Sequence, residues 1–419
     1  MLMTSTCSRE ESQFFYFLKN LKRKRDGMLI NFGIICAVGG VCAYIARKIG
    51  LPSIVGMIIA GVLISPYQWG WVSEDVFNYS ADIRQIALVI ILTRAGLSLN
   101  IDHLKRVGRP AILLSFLPAA IEMIGITLAA VLLLNWSAID GALMASVLAA
   151  VSPAIVVPRM IHLIQTKRGT NRHIPEMILA GASLDDIFVI IFFTSILTLA
   201  TTGVFEGGAF LAIPLTIGLG IGVGLLCGYL YLMMIHHFEM RDSYQVVMLL
   251  ALSGLLLGLE QWVAPWVSFS ALLAVMTLGM VVKAKAELLA PQLEEHYYRL
   301  WGAFELLLFV LVGINVDAQY LWLAGPQALL IVAIGLLFRM LGVLFSIAGT
   351  SLNRREKLFT AVAYLPKATV QAAIGSIPLS MGLESGQMIL IVSVIAILFT
   401  APLGAFLTDY TAPRWLKSE

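Results

Sequence analysis

Charge is the scarcest property of this chain. Only 13% of its 419 residues are Asp, Glu, Lys or Arg, about half the share found in soluble globular proteins. The 28 Lys and Arg against 25 Asp and Glu leave a formal net charge of +3 and no long tract of one sign, which removes the disordered and nucleic-acid-binding classes. Cysteine is sparse too. Cys7, Cys36, Cys42 and Cys227 form no CxxC pair and read as small hydrophobes rather than a redox or metal centre. The six histidines fall in or near connections without an HExxH spacing, so no cofactor and no resident metal are expected.

What the chain has in abundance is apolar sequence. Hydrophobic residues make up 59% of it and the mean hydropathy is +0.90, values that exclude a soluble enzyme and make membrane lipid its solvent. At roughly 20 residues per spanning helix, this length holds about a dozen spans, with no separate soluble domain expected. Thirteen apolar runs can be drawn, at 29–46, 51–66, 85–99, 110–134, 139–158, 176–200, 208–235, 244–259, 266–282, 300–314, 326–350, 358–381 and 387–408. The expected class is therefore an all-α polytopic membrane protein of about 13 transmembrane helices.

Lys and Arg concentrate on the cytoplasmic side of membrane proteins. The connections after the odd-numbered runs hold eighteen basic residues, among them Arg47, Lys48, Lys105, Arg106, Lys167, Arg168, Arg354, Arg355 and Lys357, and those after the even-numbered runs hold one, Arg84. The odd exits and the carboxyl terminus are thus placed in the cytoplasm, and a cell membrane, bacterial by economy, is the expected location. Thirteen spans put the amino terminus outside, against the basic residues Lys19, Lys22, Arg23, Lys24 and Arg25. A surface-lying segment around Phe14–Phe17, a fourteenth span and a start at Met28 are the three readings of residues 1–28.

Two runs are interrupted. The fifth carries Ser152-Pro153 and Pro158, the twelfth Leu365-Pro366-Lys367 followed by Gly375 and Pro378. Proline removes a backbone donor and clashes with the preceding turn, so both runs are expected to break in mid-membrane, where freed backbone must face protein or a watery cavity. They stand seven runs apart. Paired broken segments at corresponding positions point to inverted repeats with the site at the crossing. The repeats would be 29–200 and 244–409, joined by a linker span at 201–243.

The charges left inside spans are Arg94, Arg339, Lys367, Glu122, Asp185, Asp186 and Glu305. Each costs about 2.5 to 3.5 kcal/mol at a helix centre, so each needs a partner or a function. Asp185 and Asp186 are adjacent, and helical neighbours point about 100° apart, so one can face a cavity while the other faces a partner helix. Two carboxylates so close do not both ionise easily, which suits a site that holds a proton or a small hard cation such as Na⁺ or Li⁺. Lys367 can meet the carboxyl ends of broken half-helices, and Ser152, Thr369 and Gln371 offer neutral oxygens for an ion or for freed amides. Glu122 and Arg339, in corresponding spans four and eleven, are expected to form an ion pair. Guanidinium keeps its charge, so Arg339 is not a proton carrier. Arg94 and Glu305 read as structural or vestibule residues.

The strings Ala150-Val151-Ser152-Pro153-Ala154-Ile155-Val156-Val157-Pro158, Ser183-Leu184-Asp185-Asp186-Ile187 and Leu365-Pro366-Lys367-Ala368-Thr369-Val370-Gln371-Ala372-Ala373-Ile374-Gly375 resemble the monovalent cation:proton antiporter superfamily. With Glu122 and Arg339 upstream, the chain is most similar to its NHA branch of sodium/proton exchangers. The resemblance implies an NhaA-like fold, in which a core ion-transport domain (110–200 plus 326–409) moves against a dimerisation domain (mainly 29–99 plus 244–314) of a homodimer. It implies Asp186 as principal Na⁺ ligand, Asp185 as its partner in the proton-coupled site, Ser152 as an auxiliary ligand and Lys367 as stabiliser of the crossover. The position of Arg339 is lysine in electrogenic bacterial members, a departure that puts two protons per sodium in doubt. The expected function is a secondary transporter, not an enzyme, exchanging Na⁺ or Li⁺ for H⁺ by an elevator-type mechanism, electroneutrally, in pH homeostasis. An intramembrane aspartyl protease is disfavoured because the aspartates are adjacent and no GxGD occurs. A sodium-coupled organic-solute symporter of similar fold is the main alternative.

Overall fold

The computed structural model describes residues 27–98, 108–202, 209–238, 241–263, 266–267, 269–286 and 288–418. Apart from Gly27 and Met28, the amino-terminal segment lies outside the described residues, as do Lys105 and Arg106. Helices follow one another as α1 (Met28–Lys48), α2 (Ser53–Ile64), α3 (Val76–Ser98), α4 (Arg109–Leu114), α5 (Leu117–Leu134), α6 (Ala138–Leu148), α7 (Pro153–Gln165), α8 (Ile174–Thr202), α9 (Ala209–Phe238), α10 (Asp242–Val263), α11 (Ala271–Lys285), α12 (Leu289–Ile314), α13 (Ala318–Ser346), α14 (Arg354–Ala363), α15 (Thr369–Ile374), α16 (Ile377–Ser380) and α17 (Gly386–Trp415). Among the described residues there is no strand, and a single bridge joins Arg168 to Ser418. Ten helical runs among them are long and apolar enough to cross a bilayer. This is the architecture of a multi-pass membrane protein.

Each apolar run falls on helix, but three boundaries differ for physical reasons. α3 starts at Val76, nine residues before the run at 85, because Asn78, Ser80, Asp82, Arg84 and Gln85 lower the hydropathy of its first turns without interrupting the helix. Arg84, read as a loop residue, is therefore buried inside α3 at 6% exposure. α12 likewise begins at Leu289 rather than 300; its first turns carry Glu294, Glu295 and Arg299 on an outer face, with Leu293 and Tyr297 turned inward. In the fifth run the helix breaks at 149–152 and Pro158 sits inside α7. Pro153 opens α7 at the first position, where a missing N–H costs nothing.

The tightest packing divides the helices into two groups. In one, α5 lies along α13, with α6, α7, α8 and α14 to α17 around them; in the other, α1, α2 and α12 pack together and α3 and α9 flank α11. Small residues let the backbones close in, as in other membrane bundles. A Cβ on Gly61 would strike the Val310 carbonyl and one on Gly313 the Ile58 carbonyl, at the α2–α12 crossing. Gly96 and Gly279 play the same part where α3 crosses α11. Under an offset of seven spans α2 corresponds to α11 and α3 to α12, so these two glycine crossings are equivalents. Gly61→Ala is expected to lower stability by about 1 to 3 kcal/mol through overpacking against backbone. Gly254→Ala, on an α10 face with nothing within 4 Å, should instead stabilise by about 0.5 to 1 kcal/mol. Thermal unfolding of the purified protein in detergent measures both.

Candidate functional site

The two interrupted runs cross. α6 ends at Leu148 and α7 begins at Pro153; α14 ends at Ala363 and α15 begins at Thr369. At the crossing the Ser152 N–H donates to the Pro366 carbonyl at 2.8 Å, and the Lys367 N–H donates to Thr400 Oγ1 of α17 at 2.9 Å. Gly404 makes room for this loop, since a Cβ there would lie 2.5 Å from Pro366 Cγ.

Broken helices leave carbonyls at their carboxyl ends that need donors. Lys367 Nζ donates to Leu148 O at 2.6 Å, and Gln371 Nε2 donates to Leu148 O at 3.1 Å and to Ala150 O at 2.9 Å. Gln371 thus serves the freed carbonyls through its amide nitrogen, and its Oε1 stays buried without a partner. Arg339 serves both breaks. Its Nε donates to Tyr364 O at 2.8 Å and its Nη1 to Ala149 O.

The same guanidinium joins two carboxylates. Nη1 lies 2.8 Å from Glu122 Oε2 and Nη2 lies 2.8 Å from Asp185 Oδ2, all three side chains being fully buried. Glu122 Oε1 in turn lies 2.6 Å from Lys367 Nζ, and Asp185 Oδ2 also accepts from the Val151 N–H at 2.7 Å. α5 and α13 come close enough for this because Gly125 admits the Phe338 ring and Gly342 admits Pro118. On α8, Gly181 stands one turn before Asp185 and leaves space for the Tyr364 hydroxyl.

Two acids, Glu122 and Asp185, are therefore balanced by two bases, Arg339 and Lys367. Asp186 is left over. It is 7% exposed, no ion pair reaches it among the described residues, and its Oδ1 is buried without a hydrogen-bond partner. Near the crossing, Asp185 Oδ1, Ser152 Oγ, Thr369 Oγ1, Gln371 Oε1 and the Tyr364 hydroxyl are also buried without hydrogen-bond partners. Such atoms are uncommon in a folded interior. They come from α8 and from the two breaks, and oxygen is the donor type that suits a hard cation.

Sequence reasoning located the aspartate pair and the Glu122–Arg339 contact but did not foresee the Lys367–Glu122 pair or the Arg339–Asp185 pair. Arg94 lies outside the cluster, 4.9 Å above the Tyr298 ring, and Glu305 is on the same helix as Tyr298.

The family model for the transmembrane sodium/hydrogen exchanger matches residues 34–409. The chain belongs to that family. Its relatives include human sodium/hydrogen exchanger 9B2, 32% identical over 421 residues, covering 92% of this chain and 75% of that protein. Human sodium/hydrogen exchanger 9B1 is 28% identical over 389 residues, covering 87% and 73%. Among solved structures, the sodium proton antiporter MjNhaP1 from Methanocaldococcus jannaschii superposes with a TM-score of 0.78 over 91% of this chain and 97% of that chain, at 22% identity. The exchanger's fold is thus the NhaA-like one.

Proposed function

We propose that this exchanger carries Na⁺ or Li⁺ across the membrane in exchange for H⁺, one for one, with Asp186 as the carboxylate the two ions share. The observation that carries the reading is the charge balance around it. With Asp186 ionised, the cluster of Glu122, Asp185, Asp186, Arg339 and Lys367 has one negative charge; with a proton or a cation on Asp186 it has none. A buried site in lipid crosses its barrier when neutral, so the occupied forms move and the empty ionised form does not. Exchange then needs no hydrolysis and moves no net charge.

Ser152 Oγ and Asp185 Oδ1 supply further oxygens to the cation in this reading. Arg339 pairs with Asp185 and Glu122, Lys367 pairs with Glu122, and both bases neutralise the ends of the broken helices. The core ion-transport domain of 110–200 and 326–409 would move as an elevator against 29–99 and 244–314, which in a homodimer would supply the contact between copies. The division of helix packing into two groups supports that assignment, and the basic loops support a cytoplasmic carboxyl terminus in a cell membrane. A solute symporter is less favoured, because Asp186 stands without an ion pair among the described residues and buried neutral oxygens come from the two breaks.

Proteoliposomes with an internal pH dye test the exchange. Na⁺ or Li⁺ added outside should drive proton efflux that K⁺ does not match; no response to any cation from folded, inserted protein would overturn the reading. A second expectation follows from shared occupancy. Protons compete with the cation, so half-maximal exchange should require more Na⁺ as pH falls on the Na⁺ side, with little change in maximal rate.

A further inference from the structure

The end of the bundle opposite the basic loops holds a cleft of about 490 Å³. Its walls come from both helix groups: α3, α9 and α11, with α10 packed against them, on one side, α8, α15 and α16 on the other. Leu88, Phe193, Leu197, Leu257, Phe269 and Leu272 make most of the apolar lining. Thr201, Gln261, Ser380 and Met381 also line it and are exposed. Its volume is that of a site for a small organic molecule.

Two charged groups line the cleft, and they differ in what meets them. Glu260 Oε1 accepts from the Ala271 N–H at 3.3 Å, so its carboxylate sits at the amino end of α11, where the helix dipole favours negative charge. Arg84 has no such answer. Its Nε donates to Ser80 O at 3.2 Å, one turn back in its own helix, but Nη1 is buried with no acceptor, and the residue is 6% exposed. Among the described residues no carboxylate pairs with it. A lone guanidinium in such surroundings is costly. It is also not used in the exchange proposed above.

We propose that the cleft binds an amphipathic organic anion, with its carboxylate, sulfate or phosphate head on Arg84 and its apolar body between Leu88, Phe193, Leu197 and Leu257. A guanidinium fork matches such oxyanions, and the walls beyond it are mainly apolar. Phe193 lies on α8 seven residues beyond Asp186, hence on nearly the same helix face and roughly 10 Å along the axis. The ligand therefore sits above the ion site without touching it. Because it fills space between the two groups, it holds them together and slows exchange. That inhibitory effect rests on the elevator reading of the preceding section; the binding does not.

Decyl sulfate and decanoate serve as probes, with decyltrimethylammonium, decanol and inorganic sulfate as comparisons. Binding is read as the shift in thermal unfolding of the full chain in detergent, and inhibition as loss of Na⁺-driven proton flux in proteoliposomes. Both anions should stabilise the protein and slow flux, while the cation, the alcohol and inorganic sulfate should do neither at equal concentration. Arg84→Gln should weaken the anions roughly tenfold or more, as expected for loss of a charge-assisted contact, and Arg84→Lys should keep part of it. Leu257→Trp, which keeps Arg84 and narrows the cleft, should abolish binding of the decyl anions. Both Arg84→Gln and Leu257→Trp should retain exchange that depends on Asp186. Equal potency of the decyl cation and anion, or anion binding unchanged in Arg84→Gln, would overturn the proposal. Inorganic sulfate as potent as decyl sulfate would reduce the site to an ion site and overturn the amphipathic part. Specific binding without inhibition would leave the site standing and count against the elevator reading.

Discussion

Asp186→Asn is expected to abolish Na⁺-driven proton flux, with a loss of at least about 100-fold, while leaving the fold and its thermal stability close to those of the wild type. Asp186 makes no ion pair among the described residues and its Oδ1 accepts no hydrogen bond, so nothing in the packing depends on its charge. Removing an unbalanced buried charge relieves desolvation cost, and a modest rise in melting temperature is the expected sign. Asp185→Asn should behave differently. Its Oδ2 is bound by Arg339 and by the Val151 N–H, so the amide weakens the network that aligns the first break. The cluster then gains a positive charge, and cation affinity should fall about tenfold or more, the worth of roughly 1.4 kcal/mol. The two adjacent aspartates are thus separable: one variant loses function and keeps stability, the other loses some of each. Flux and melting temperature measured on both variants decide the point, and a loss of folding in Asp186→Asn would place its charge in the scaffold instead.

Arg339→Met should be the most destabilising single change in the site. The guanidinium binds Glu122, Asp185, Tyr364 O and Ala149 O at once. Truncating it leaves Asp185 without an ion pair among the described residues, Glu122 with Lys367 alone and two carbonyls without this donor, and breaking a buried pair from one side costs about 3 to 5 kcal/mol. Arg339→Lys keeps the charge but has no planar fork, so it should fall between the two. Combining Arg339→Met with Asp185→Asn should cost clearly less than the two single losses added, because both remove the same contact. Additive losses would mean that the 2.8 Å contact contributes little. Thermal or denaturant unfolding in detergent supplies the numbers.

The positions of these residues were legible in the sequence because charge inside apolar runs is rare and each instance stands out. The pairing of Glu122 with Arg339 followed from matching the runs seven apart, which rests on repeat symmetry rather than on distance. What the sequence could not show is which partners one side chain reaches once two helices break and cross. Arg339 meets α5, α8 and both breaks, and Lys367 turns from the second break to the end of the first; such contacts depend on crossing geometry that no periodicity encodes. Gln371 is a related case, since an amide offers a donor and an acceptor, and only the freed carbonyls of Leu148 and Ala150 choose the donor. Arg84 was misplaced for another reason. Hydropathy averages over all faces of a helix, so the polar side of α3 that lines the cleft lowered the signal until its first turns read as loop.

The central claim is that one uncompensated carboxylate takes either one proton or one cation. The most direct test is the membrane potential developed by proteoliposomes while the wild-type protein exchanges Na⁺ for H⁺, followed with a potential-sensitive dye alongside the pH dye. The account predicts full proton flux with no potential, and a flux that neither an imposed potential nor valinomycin with K⁺ alters. A potential that builds with Na⁺ and disappears in Asp186→Asn would show that more than one proton moves per cation, and would contradict it.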